Sequence, residues 1–301
     1  MITIQGLTKR YGDELAVHDL TCTIRPGVVT GFLGPNGAGK STTMRLMLGL
    51  DSGEGEVLFH GRPYRALPNP ARAVGALLDA RAAHPGRSAL QHLRMIAAGA
   101  GISGQRVREV LAAVGLDEAR HRRIGGFSLG MQQRLGIAAA LLGDPEHVVL
   151  DEPTNGLDPE GVRWIRSLLR NLADEGRTVF VSSHLLSEIA QFADDLVVIG
   201  EGRLIAAEPV RQFITANTRT RVVVRTPEAD KIRTFLRGTG FQVQPEDVDA
   251  LVVDSGDVDA VSAAVRRAGL PVRELHTRRS SLEDAFFNAT ANATSYRGGA
   301  A

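Results

Sequence analysis

Gly34-Pro35-Asn36-Gly37-Ala38-Gly39-Lys40-Ser41-Thr42 decides how the chain is read. The segment fits the pattern Gly-x-x-x-x-Gly-Lys-Ser/Thr, follows the apolar run Val28 to Leu33 and opens a helical pattern from Thr42 to Leu50. Strand, glycine-rich loop and helix, in that order, are the context such a phosphate loop requires. Glycines let successive backbone N–H groups converge on one anion, and the following helix adds the positive end of its dipole. On this reading Lys40 reaches the β- and γ-phosphates of a nucleotide such as ATP, and Ser41 offers its hydroxyl to Mg2+.

Downstream, His147-Val148-Val149-Leu150-Asp151-Glu152 is an apolar strand that ends in two acids. A parallel sheet delivers carboxylates to its C-terminal edge in this way. Asp151 is then the acid on the metal side, and Glu152 is the candidate to orient an attacking water. Two acids at a strand end also describe an ordinary solvated turn; the phosphate loop upstream gives this pair a partner.

Between these motifs runs Phe127-Ser128-Leu129-Gly130-Met131-Gln132-Gln133-Arg134, followed by the alanine- and leucine-rich stretch Leu135 to Leu142. A serine hydroxyl and a close-approach glycine at a helix start make an anion site and a helix cap at once. Here the chain resembles the nucleotide-binding subunits of ATP-binding cassette (ABC) transporters. The family signature Leu-Ser-Gly-Gly-Gln reads Phe-Ser-Leu-Gly-Met in this chain, with Ser128 and Gly130 retained and Leu129 and Met131 departing. The resemblance continues through Asp151 to Pro159, where Asp158 belongs to the loop that crosses the dimer interface in the family. It continues again at Val179 to His184, where His184 matches the switch histidine that contacts the γ-phosphate. Tyr11 matches the aromatic that stacks on adenine. Where the family has a glutamine after the run Val74 to Leu78, this chain has Asp79, an acid that meets a metal through oxygen but differs from an amide in protonation. The acidic replacement and the Ser-Leu-Gly-Met signature resemble the anthracycline- and bacitracin-resistance branch.

The resemblance implies a fold, a reaction and partners. The fold is α/β: a P-loop ATPase domain over residues 1–215 with a helical insert at about 85–145. In the family the phosphate loop and the signature are too far apart within one subunit to share a nucleotide, which implies a head-to-tail homodimer with ATP sandwiched between Lys40 of one copy and Ser128, Gly130 and Met131 of the other. ATP hydrolysis would then drive a separate polytopic membrane permease, in the exporter direction. The alternatives are the ATPase of an importer and a soluble ABC ATPase, although the long coiled-coil insert, zinc-ligand cysteines or second cassette typical of the latter are missing from the chain.

Residues 216–292 carry a different pattern. Strands are expected at Arg221 to Thr226, Phe241 to Gln244, Leu251 to Asp254 and Val272 to His276, with helices at Ala229 to Arg237 and Val258 to Arg267. That order, βαββαβ, describes a small ferredoxin-like α+β accessory domain with no phosphate loop or nucleophile constellation. Ser280 to Phe287 resembles a closing helix of exporter ATPases, and residues 293–301 are expected to be a disordered tail.

Composition agrees. The 301 residues are 43% hydrophobic, enough for two cores, and the formal net charge is +1 without a basic stripe, so nucleic acid is not an expected partner. A single cysteine, Cys22, excludes an intrachain disulfide. No signal-like start and no 18-residue apolar run occur, so the chain is expected to stay in the cytoplasm without spanning a membrane, and the resemblance implies a peripheral place on the cytoplasmic face of the cell membrane. Lysine is confined to Lys9, Lys40 and Lys231 against many arginines, a bias of GC-rich bacterial genomes.

Overall fold

The structure is a computed structural model that describes residues 1–217, 221–255, 257–278 and 282–290. It divides into two compact units, one spanning Met1–Val210 and the other beginning at Arg211. The expected tail at 293–301, together with Thr218, Ser280 and Ser281, lies outside the described residues.

The first unit holds two sheets. Strands β1 (Ile2–Tyr11), β2 (Glu14–Ile24) and, after β3 (Val29–Leu33) and helix α1 (Lys40–Met47), β4 (Glu54–Phe59) make an antiparallel sheet in the order β2-β1-β4. Helix α2 (Pro70–Ala73) leads into β5 (Val74–Leu77). The helical insert follows as α3 (Ala89–Gly99), α4 (Gly104–Ala113) and α5 (Leu129–Leu141). The chain then alternates β6 (His147–Leu150), α6 (Pro159–Asp174), β7 (Thr178–Ser183), α7 (Leu186–Ile189), β8 (Asp195–Gly200) and β9 (Arg203–Pro209). The second sheet has the order β5-β6-β7-β3-β8-β9, parallel except for β9 against β8.

Every residue of β3, β6 and β7 is buried, as expected for parallel strands covered on both faces. The core between the sheets packs Ile2, Ile4 and Phe59 against Met44 and Met47 of α1 and against Phe32 and Phe180, whose rings stack at 4.9 Å. Cys22 lies in this core, and burial pushes its thiol up to about 12, so it stays protonated. In the insert, α3 turns Leu90, Leu93 and Ala97 inward and α4 turns Val107, Val110 and Leu111 inward, which is helical spacing on one face of each. Ser88 caps α3 in a reciprocal box with Gln91, and Ser103 caps α4.

In the second unit, α8 (Val210–Asn217) precedes β10 (Arg221–Arg225), α9 (Ala229–Gly238), β11 (Gln242–Asp247), β12 (Ala250–Asp254), α10 (Val258–Ala268), β13 (Glu274–Arg278) and α11 (Leu282–Thr290). The antiparallel sheet has the order β11-β12-β10-β13, the ferredoxin-like arrangement of a βαββαβ chain. Val222, Val224 and Val253 meet Ile232, Leu236 and Val261 in a separate core. Boundaries shift by a few residues at several elements, among them the strand expected at Phe241 to Gln244, which runs Gln242–Asp247. The unit division falls before the polar stretch Thr215 to Thr218, because Val210–Asn217 is helical. The last strand starts at Glu274 rather than Val272, because the Pro271 carbonyl is taken up by the Thr226 hydroxyl at 2.7 Å and pairing with β10 begins beyond it.

Candidate functional site

The loop from Gly34 to Gly39 joins the buried strand β3 to α1. Gly39 occupies the helix N-cap with φ +100°, and a Cβ there would sit 2.3 Å from the Ala16 carbonyl oxygen, so only glycine fits. No side chain caps α1, which leaves its first N–H groups aimed outward as an anion cradle. Asn36, Gly37 and Ser41 are exposed, Pro35 and Thr42 are partly so, and Ala38 is buried behind them with its N–H on the Pro35 carbonyl at 3.1 Å. Lys40 is buried, with Nζ donating to the carbonyls of Gly34 at 2.7 Å and Pro35 at 3.2 Å. Burial pulls its ammonium below the usual range, and the nearby carboxylates of Glu152 and Asp151 oppose that. A cation already oriented beside empty backbone donors fits a polyphosphate.

Asp151 and Glu152 follow the last residue of β6. The Ser182 hydroxyl, at the end of the neighbouring β7, donates to Asp151 Oδ1 and accepts from the Glu152 N–H at 2.9 Å. Glu152 has φ +49°, the left-handed region that a non-glycine residue occupies at a cost on the order of 1–3 kcal/mol. Three contacts hold it there. Besides Ser182, Gln133 Nε2 donates to its carbonyl at 3.1 Å, and His184 Nδ1 lies 2.7 Å from its Oε2. Lys40, Asp151, Glu152 and His184 therefore gather at the C-terminal edge of the sheet. The Glu152 carboxylate, fixed at one oxygen by His184, has the other available to a water.

Ser128 caps α5, its Oγ accepting from Met131 N at 3.2 Å. Gly130 lies against the next loop, where a Cβ would stand 3.2 Å from the Gly156 carbonyl. Asp158 in turn caps α6 through the Gly161 N–H at 2.8 Å. The signature and the interface loop thus make a second cluster, linked to the first through Gln133 of α5. Tyr11 is exposed; its hydroxyl donates to Asp51 Oδ2 at 2.9 Å while Lys9 Nζ sits 4.8 Å over the ring. Asp79 is exposed and accepts from the Arg81 N–H at 2.8 Å, and no hydrogen bond joins it to Asp151.

Gln133 and Ser182 are the residues that motif reading passed over. Both stood in quoted motifs, but nothing about their type distinguishes a side chain that clamps an acid from one that faces solvent. Their burial, 3% and 0% exposed, makes the distinction.

Comparison with known proteins adds to this geometry. Residues 17–155 match the ABC transporter family model, and residues 220–283 match a domain of unknown function. The bacitracin transport ATP-binding protein of Bacillus licheniformis is 35% identical over 295 residues, covering 95% of this chain and 96% of that one. A fluoroquinolones export ATP-binding protein of Mycobacterium tuberculosis is 32% identical over 296 residues, covering 96% and 93%. The solved dimeric structure of a bacterial ABC transporter cassette superposes with a TM-score of 0.64 at 26% identity, over 69% of this chain and 98% of that one. Full-length relatedness, the cassette fold and the grouped phosphate-loop lysine, strand-end acids and histidine agree, and the chain belongs to the ABC transporter family as an ATP-binding, ATP-hydrolysing subunit.

Proposed function

We propose that the protein works as a homodimer that clamps two ATP molecules and drives export of an amphiphilic antibiotic through a separate membrane permease. The observation that carries this reading is the clamped Glu152, held in a left-handed backbone by Ser182, Gln133 and His184 beside Lys40. Glu152 accepts a proton from, and orients, the attacking water; His184 holds the Glu152 carboxylate and senses the terminal phosphate; Lys40 and the N–H groups of Gly34 to Thr42 bind the phosphates. Tyr11 presents its ring to adenine, with Lys9 on one face. Ser41, Asp151 and Asp79 would hold Mg2+, whose charge offsets that of the phosphates when it is bound.

Ser128, Gly130 and Met131 have no phosphate loop of their own within the second cluster, which favours delivery of that cluster to the partner copy, with Asp158 at the crossing. Closing the dimer on ATP and reopening it after hydrolysis makes a ligand-biased two-state switch. The groove lined by Leu50, Leu78, Ala83, His92 and Ile96, about 580 Å³, lies between the sheet core and the insert and suits a cytoplasmic helix of the permease. Leu50, on this groove, is 57% accessible. No described helix is long and apolar enough to cross a membrane. On this reading a separate permease supplies the pore and the protein works at its cytoplasmic face. The antibiotic cargo rests on the names of the two relatives.

Glu152→Gln tests the core of this reading. The variant is expected to bind ATP, accumulate as a dimer in light scattering and lose about 10²- to 10⁴-fold in kcat, the range of general base catalysis. Captured from detergent-solubilised membranes with ATP, it should bring down a polytopic permease. Undiminished hydrolysis would remove Glu152 from its role, and recovery of ribosomes or DNA factors alone would remove the transporter.

A further inference from the structure

We propose that His60, Glu146 and His147 form a binding site for a divalent transition metal of the zinc class, at the edge of the six-stranded sheet remote from the nucleotide loops. One ligand atom from each of the three lies within 4.8 Å of the others. His60 Nε2 stands 3.1 Å from Glu146 Oε2, and the His60 and His147 rings lie 4.6 Å apart between centroids, tilted by 40° to each other.

His147 supplies the independent observation. Its side chain is 1% exposed, and neither ring nitrogen has a hydrogen-bond partner. A neutral imidazole has one donor and one acceptor, and burying both unpaired carries a desolvation penalty; a metal bond would satisfy the acceptor nitrogen and lift that part of it. Burial, with the Met1 α-ammonium and His60 nearby, opposes protonation of the ring.

The local backbone presents the ligands. His60 follows β4 with φ +50°, its N–H on the Met1 carbonyl at 3.1 Å, and Phe59 walls the buried side 5.5 Å from the His147 ring. His60 and Glu146 are exposed, which leaves the outer position to water. Two imidazoles, a carboxylate and an open position are a zinc-type donor set rather than a magnesium one. His147 opens β6 and Asp151 follows its end, so the site lies a strand length, about 13 Å, from the catalytic acids. A metal there would pin the turn after β4 to the first residue of β6, cross-linking the two sheets and stabilising the folded chain by mass action.

The test uses the untagged full chain, stripped with chelator and free of nucleotide. Titration with Zn2+ by calorimetry and with Co2+ by visible absorption should show one ion per chain, a tetrahedral cobalt spectrum and a rise in Tm. His60→Ala and Glu146→Gln alter exposed positions, and each should weaken Zn2+ binding by at least about 10-fold. His147→Phe, which keeps a ring in the buried space, should abolish binding while circular dichroism stays native. His121→Ala removes an exposed histidine elsewhere and should change nothing. Absence of binding at micromolar Zn2+, an octahedral cobalt spectrum, or affinity indifferent to His60→Ala would overturn the proposal.

Discussion

The hydroxyl of Ser182 donates to Asp151 and accepts from the Glu152 N–H, so one buried side chain orients both strand-end acids. Ser182→Ala leaves that N–H without a partner at a position already strained. The expected loss is about 1–3 kcal/mol in urea unfolding, with a fall in kcat that exceeds any change in ATP affinity. An unaltered kcat would show that His184 and Gln133 suffice to hold Glu152. Asp51 gives a pH dependence. It accepts from Arg45 and from Tyr11, and these bonds lower its carboxyl from an ordinary 3.8 to about 2. Its folded pKa lies below its unfolded one, so its stabilising effect is present above about pH 4 and is lost as pH falls toward 2. Asp51→Asn should therefore lose stability at pH 7 while matching the parent near pH 2, which thermal melts across that range would show.

Helix α5 connects the signature segment to the acids at the end of β6. Ser128 caps it, Gln133 reaches Glu152, and Arg134 lies 4.4 Å over the Trp164 ring of α6, the helix that follows the interface loop. The close approach of α5 to β5 depends on Gly75, where a Cβ would stand 1.9 Å from the Ala140 carbonyl and 2.8 Å from Pro145 Cγ. Backbone cannot yield as a side-chain end can. Gly75→Ala should cost about 1–3 kcal/mol by overpacking and should slow ATP turnover by displacing the signature helix. A native midpoint in denaturant would mean that β5 shifts freely. None of this is readable from Val74 to Leu77, because an apolar run with a glycine looks the same whether or not a helix backbone lies against it.

The two units have separate cores, one between the sheets of Met1–Val210 and one beneath the four-stranded sheet that begins at Arg221. Each therefore has the means to fold alone. A chain ending at Val210 is expected to bind ATP with the affinity of the parent, and residues from Arg211 onward should unfold cooperatively when expressed separately. Isothermal titration and denaturant melts check the two halves of that expectation. A truncated cassette that no longer binds ATP would mean that the accessory unit supports the site.

Local patterns were enough for the strand, glycine loop and helix around Lys40, the strand that ends in two acids, the helix capped by Ser128 and the order βαββαβ, because each is written in contiguous residues whose backbone needs are met on the spot. Gly39 needs its own φ, Ser128 and Asp158 cap the helices they precede, and alternating valines face one core. Tertiary structure alone decided which side chains close the site and which are left over. Gln133 and Ser182 come from a helix and a strand remote in the chain from Glu152, and Asp79 turns onto its own loop. His60 and His147 are far apart in sequence and meet only because the antiparallel sheet packs on the first residue of β6. Such contacts depend on how two separately patterned sheets are stacked, and no periodicity within either segment encodes that distance.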